Sequence, residues 1–128
     1  MTRFSNIPNK QPVRNDSIQS LAWPEYGEHF VLNKFYSSYD GAEGWLGESY
    51  LALWTRHEIE QFFQPNLDAF SEKYHFFGSD GGGTQFGFFA ENGAITFVSA
   101  PDIGNADDIR LLGSWDEFLN YLENGEYI

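Results

Sequence analysis

The sequence predicts an α+β domain: a mostly antiparallel sheet flanked by N-terminal helices, a middle helix and a C-terminal helix. Three observations predict it. Asn92-Gly93 separates two apolar runs, the strongest short-range signal for a β-hairpin. Thr55-Arg56-His57-Glu58 and Ser114-Trp115-Asp116-Glu117 each carry the Ser/Thr-x-x-Glu spacing of a capping box, which marks a helix start. The order of elements, a helix pair, a strand, a helix, several strands and a last helix, is not the strict alternation of a parallel α/β fold.

Taken in chain order, residues 1–14 are polar, contain Pro8 and Pro12, and are expected to form a flexible arm ahead of one domain over residues 15–128. Asn15, Asp16 and Ser17 supply a cap for a short helix through Ile18 and Leu21. Pro24 suits the first turn of a longer helix, on which Val31, Leu32, Phe35, Tyr36 and Tyr39 recur at helical spacing. The run Asp40-Gly41-Ala42-Glu43-Gly44 is expected to end that helix in a loop that also holds Trp45. Ser49 to Trp54 is short, apolar and bounded, as a strand is. A short helix follows the first capping box through Phe62 and Phe63, until Pro65 interrupts it. A second short helix is expected near residues 66–73. Within the hairpin, Phe88 lies opposite Phe97 and Ala90 opposite Ile95. This places Phe86, Phe88, Ile95 and Phe97 on the core face and turns Phe89 and Val98 away. An acidic loop over residues 101–108 precedes a short strand at residues 109–112. The last helix carries Trp115, Phe118, Leu119 and Leu122 in one stripe, and Gly125 is placed to stop it.

Composition narrows the function. Seven Lys and Arg face nineteen Asp and Glu, for a formal net charge of −12. Such a surface repels phosphate backbones and anionic membranes, so no nucleic acid and no membrane is expected as partner. It complements a basic protein, and it also serves plain solubility. No cysteine is present, which removes disulfides, thiolate metal sites and a Cys nucleophile, and fits a reducing compartment. With no signal-peptide segment and no long apolar run, a cytoplasmic protein is expected.

The loop Gly78-Ser79-Asp80-Gly81-Gly82-Gly83, set between two aromatic runs, is the one motif with the look of a ligand site. A Walker loop needs a Lys and a Ser or Thr after its last Gly, but here Thr84 and Gln85 follow. A dinucleotide fingerprint needs a third Gly where Phe86 stands, and then a helix rather than strand-like residues. A calcium loop needs several carboxylates, and Asp80 stands alone. The loop is therefore read as a wide turn or bulge. His29, His57 and His75 are far apart, no H-E-x-x-H or G-x-S-x-G occurs, and Glu58 already belongs to a capping box. No catalytic residue, metal ligand or cofactor is expected.

The motifs together resemble a known family. Trp23-Pro24-Glu25-Tyr26 followed by Phe30 resembles the helix start of the SUKH superfamily in its Smi/Knr branch. Leu51 to Trp54 with Glu58-Ile59, then Phe77-Gly78-Ser79-Asp80-Gly81-Gly82-Gly83 with Phe86-Gly87-Phe88, and last Ser114-Trp115-Asp116-Glu117-Phe118-Leu119, are similar to that family's successive signatures. The resemblance runs from about Leu21 to Leu122. It implies an α+β fold and a binding role without metal or cofactor. Bacterial members are mostly thought to be immunity proteins that bind and neutralise a toxin's effector domain, often a nuclease. Fungal relatives act as regulatory interaction modules.

Three functions follow: a toxin-neutralising immunity protein, a regulatory scaffold with another partner, or a small-ligand or enzyme domain using the loop of Gly78 to Gly83. For a binding role, the expected partner surface comprises Asp40 and Glu43 with Trp45, then Asp80, and then Asp102, Asp107 and Asp108. Binding residues favour loops held on a rigid scaffold. Trp45 is either an aromatic anchor among these charges or a ring folded back onto the core, and each carboxylate is either part of a site or a solvated charge.

Overall fold

A computed structural model describes residues 7, 10–11, 23, 26–27, 29–63, 74–101 and 108–127. Six strands form one antiparallel sheet in sequential order: β1 (Ala42–Leu46), β2 (Ser49–Leu53), β3 (His75–Ser79), β4 (Gln85–Glu91), β5 (Ala94–Ala100) and β6 (Arg110–Gly113). Three helices accompany it among the described residues: α1 (Val31–Ser38), α2 (Arg56–Phe63) and α3 (Trp115–Glu123). The expected α+β class, with its antiparallel sheet, is the observed one. No helix among the described residues is long and apolar enough to cross a membrane.

The β4–β5 hairpin has the expected register, with Phe88 opposite Phe97 and Ala90 opposite Ile95. Asn92 and Gly93 both take positive φ, at 53° and 81°, as a two-residue turn of the primed type requires. Phe86, Phe88 and Phe97 thereby meet the stripe of α3: Phe97 stacks on Phe118 with ring centroids 5.6 Å apart, and Phe86 meets Phe118 edge-on at 5.2 Å. All four rings are buried. Rings of this size contribute about 1.5–3 kcal/mol each on burial, which makes this layer the main core. Val98 and Phe89 belong to a smaller cluster with Tyr74, Phe76 and Ala100 on the other face of the sheet.

Both capping boxes are formed. Ser114 Oγ accepts from the Glu117 N–H at 3.2 Å while the Glu117 carboxylate accepts from the Ser114 N–H at 3.0 Å. Thr55 and Glu58 make the same reciprocal pair at 3.1 and 2.9 Å. The backbone and side-chain hydrogen bonds of Ser114 hold the Glu117 carboxyl below its ordinary pKa.

Two expectations are corrected. The long helix from Pro24 does not form: the helix is Val31–Ser38 alone, and Gly27, at φ +80°, lies outside the helical region. The chain there is held instead by the buried Asn33, whose amide accepts from the Trp23 N–H at 2.9 Å and donates to the carbonyls of Trp23 and Gly27 at 2.9 and 2.7 Å. A side chain that satisfies three backbone groups lets a non-helical segment stay buried. Trp23 can then pack edge-on against Phe88 at 5.2 Å. The second correction is the loop at residues 40–45. Ala42 to Leu46 is strand β1, paired with β2 through the Gly47-Glu48 turn. Its inward residues are Ala42, Gly44 and Leu46, so its period-two pattern carries little apolar signal.

The expected helices at residues 15–21 and 66–73 lie outside the described residues. The arm is described only at Ile7, Lys10 and Gln11. Ile7 is buried in the core, and Gln11 exchanges backbone hydrogen bonds with Asp40 and Gly41.

Candidate functional site

The Gly-rich loop joins β3 to β4, and its own side chains occupy it. Asp80 Oδ1 accepts from the Gly82 N–H at 2.8 Å and the Thr84 N–H at 3.3 Å, and Ser79 Oγ accepts from the Gly81 N–H at 3.2 Å. A phosphate loop aims such N–H groups at its ligand. Here the Asp80 carboxylate sits in that position, and an incoming anion would have to displace it. The second oxygen of Asp80 accepts from the Tyr127 hydroxyl at 2.7 Å, which ties the loop to the end of the chain. Burial first, and the bond to Asp80 second, push the Tyr127 phenol up to about 12. Asp80 therefore builds the loop.

The same loop supports a surface of different character. Tyr50, on β2, lies against Gly81: a Cβ added to Gly81 would come within 2.8 Å of the Tyr50 ring, and Gly81 has φ +82°. Only a residue with no side chain fits both conditions. On its other side Tyr50 is the register partner of Trp45, and the two rings meet edge-on with centroids 5.5 Å apart. The Tyr50 hydroxyl donates to Glu43 Oε2 at 2.8 Å. That bond keeps the proton on the phenol and raises its pKa. Glu43 and Trp45 are alternate residues of β1 and share the face opposite the core, because Ala42 and Leu46 point inward. Trp45 is not folded onto the core: it is 68% exposed, and among the described residues Leu111, at 59%, is the other large apolar side chain standing in solvent.

Trp45, Glu43 and the Asp80 loop, far apart in sequence, thus meet through Tyr50. Sequence reasoning named the first three and missed Tyr50. The signal available was the alternation Ser49-Tyr50-Leu51-Ala52-Leu53, which turns Tyr50 and Ala52 away from the core. The remaining candidates lie elsewhere. Asp40 Oδ1 accepts from the Arg56 N–H at 2.9 Å, so this carboxylate serves the start of α2. Asp108 is exposed just ahead of β6, at the opposite edge of the sheet. Five strand spacings separate the edges, roughly 24 Å. Asp102 and Asp107 lie outside the described residues.

Charge is distributed to match. Strands β1 to β5 contain no Lys or Arg, while Glu43, Glu48, Asp80 and Glu91 lie on them or on their connecting turns. Among the described residues no group of three or more His, Asp or Glu side chains converges as metal ligands would. Compared with protein-family models, curated proteins and solved structures, the chain matches none.

Proposed function

We propose that this domain is a non-enzymatic binding protein of the Smi/Knr kind, acting in the cytoplasm as an immunity protein that holds a basic toxin effector domain. The observation that carries the reading is Trp45: a tryptophan standing 68% exposed on strand β1 beside Glu43, in a sheet whose strands β1 to β5 carry no lysine or arginine. The ring gains only its cross-strand contact with Tyr50, whereas tryptophan is enriched among residues that dominate protein interfaces. A net charge of −12 speeds and selects encounter with a cationic partner. A nuclease effector must hold phosphate, so its active face is a cationic surface of that kind. The sequence motifs that resemble the Smi/Knr branch support the same reading. The test is inhibition: the effector domain encoded by the gene directly upstream is assayed with increasing amounts of this domain. Stoichiometric loss of its activity supports the reading, and full activity in the presence of excess domain refutes it.

A further inference from the structure

We propose that Asn92 is a site of spontaneous covalent modification, where the turn of the β4–β5 hairpin deamidates to aspartate and isoaspartate. The tripeptide Glu-Asn-Gly occurs twice in the chain, as Glu91-Asn92-Gly93 and as Glu123-Asn124-Gly125. The two copies offer matched local chemistry. A glycine after the asparagine has no Cβ to hinder the approach of its backbone nitrogen to the side-chain carbonyl. That nitrogen gives its proton to solvent base and bonds to the asparagine Cγ, and the bond from Cγ to the amide nitrogen breaks with ammonia as the leaving group. Water then opens the cyclic imide. Breaking the ring bond at Cγ leaves aspartate. Breaking the ring bond at the backbone carbonyl leaves isoaspartate, with the chain running through the former side chain. Nothing is oxidised or reduced, and water is the only co-reactant.

The fold treats the two copies differently. Residues 91–94 are all exposed, and the ladder of the hairpin ends at the pair Glu91 and Ala94. Open space lies where a Cβ on Gly93 would stand. Neither the Asn92 amide nor the Gly93 N–H makes a hydrogen bond among the described residues. Closing the ring rotates the peptide between Asn92 and Gly93, which at this tip threatens only the end pair of the ladder. Asn124 is exposed as well, but it caps the C-terminus of α3. There the Gly125 N–H donates to the Leu122 carbonyl at 3.1 Å and the Glu126 N–H to the Tyr121 carbonyl at 2.8 Å. The same rotation would break both bonds and draw Tyr127 away from Asp80 and Phe86. Exposure does not separate the copies; the held nitrogen does. The product also matters to the hairpin, because isoaspartate adds a backbone methylene to a two-residue turn whose positive φ angles match the twist of its strands.

The experiment incubates the intact domain at mildly alkaline pH, with and without denaturing urea, and follows both Glu-Asn-Gly peptides by mass after digestion. In the folded domain Asn92 should convert about fivefold faster than Asn124 or more, the scale of opening one backbone hydrogen bond. In urea the two should convert at like rates, because the matched tripeptides then share one environment. Asn92 left intact in the folded domain while the unfolded chain converts overturns the proposal. So does Asn124 converting as fast as Asn92 in the folded domain. The isolated form with isoaspartate at position 92 should unfold at lower urea than Asn92→Asp, which keeps the backbone length. Equal midpoints for those two would overturn the effect assigned to the turn.

Discussion

Replacing Asp80 with Ala tests the account of the Gly-rich loop. The change removes three accepted hydrogen bonds, from the Gly82 N–H, the Thr84 N–H and the Tyr127 hydroxyl. Gly82 is exposed, so water replaces most of its bond, leaving a loss of about 0.5–1 kcal/mol. The Thr84 bond is long at 3.3 Å but belongs to a buried residue, and about 1 kcal/mol is a fair share. The Tyr127 hydroxyl, left without its charged acceptor, accounts for about 1–2 kcal/mol. The sum is about 2.5–4 kcal/mol. With a urea slope of about 1.5–2 kcal/mol/M, the denaturation midpoint should fall by roughly 1.3–2.7 M. Asp80→Asn keeps an acceptor in place and should cost less. A double-mutant cycle with Tyr127→Phe isolates the cross-chain bond and should return a coupling of about 1 kcal/mol. A midpoint for Asp80→Ala equal to wild type, or a coupling near zero, would mean that the carboxylate does not build the loop. The site would then be open to a ligand.

Gly81→Val should be strongly destabilising, because it meets both a positive φ and the Tyr50 ring. Gly83→Val should be tolerated, since Gly83 has neither constraint, and matched thermal melts compare them. Ser114→Ala and Thr55→Ala should each cost about 1 kcal/mol in chemical denaturation by removing a cap acceptor. Tyr127 has a raised pKa in the folded state, so its contribution is complete below pH 10 and is lost as pH rises through about 12. Stability measured from pH 9 to 12 should fall more steeply for wild type than for Tyr127→Phe. Trp45→Ala should cost at most about 1 kcal/mol in thermal denaturation, the scale of its cross-strand contact with Tyr50, because the ring is largely outside the core.

Much of this fold is legible locally. Asn92-Gly93 fixes its own turn and register, and each capping box names its own helix start, because those signals are complete within four residues. The Phe118 stripe and the hairpin phenylalanines show their periodicity directly. What is not legible depends on distant partners or on small residues. Strand β1 hides because Ala42 and Gly44 fill its inward positions. The Asn33 clamp on Trp23 has no local pattern, and without it Pro24 looks like an ordinary helix start. The site shows both cases. Glu43 and Trp45 could be named as candidates from their glycine-rich setting, although on a loop rather than a strand, and whether the Trp45 ring faced solvent or the core was not legible. Tyr50 joins them only because the strand order places β2 between β1 and the loop after β3. For Asp80 the sequence leaves open a partner site or a solvated charge, because Tyr127 and the two loop N–H groups that hold it are brought to it only by the fold.

The most direct measurement for the central claim is the affinity between this domain and the effector domain encoded by its upstream gene, taken at low and high salt for wild type and Trp45→Ala. A saturable complex is expected that weakens as salt rises, because opposite charges drive the encounter, and that weakens again when Trp45 is removed. The absence of a complex, or a complex indifferent to both salt and Trp45, would contradict the claim.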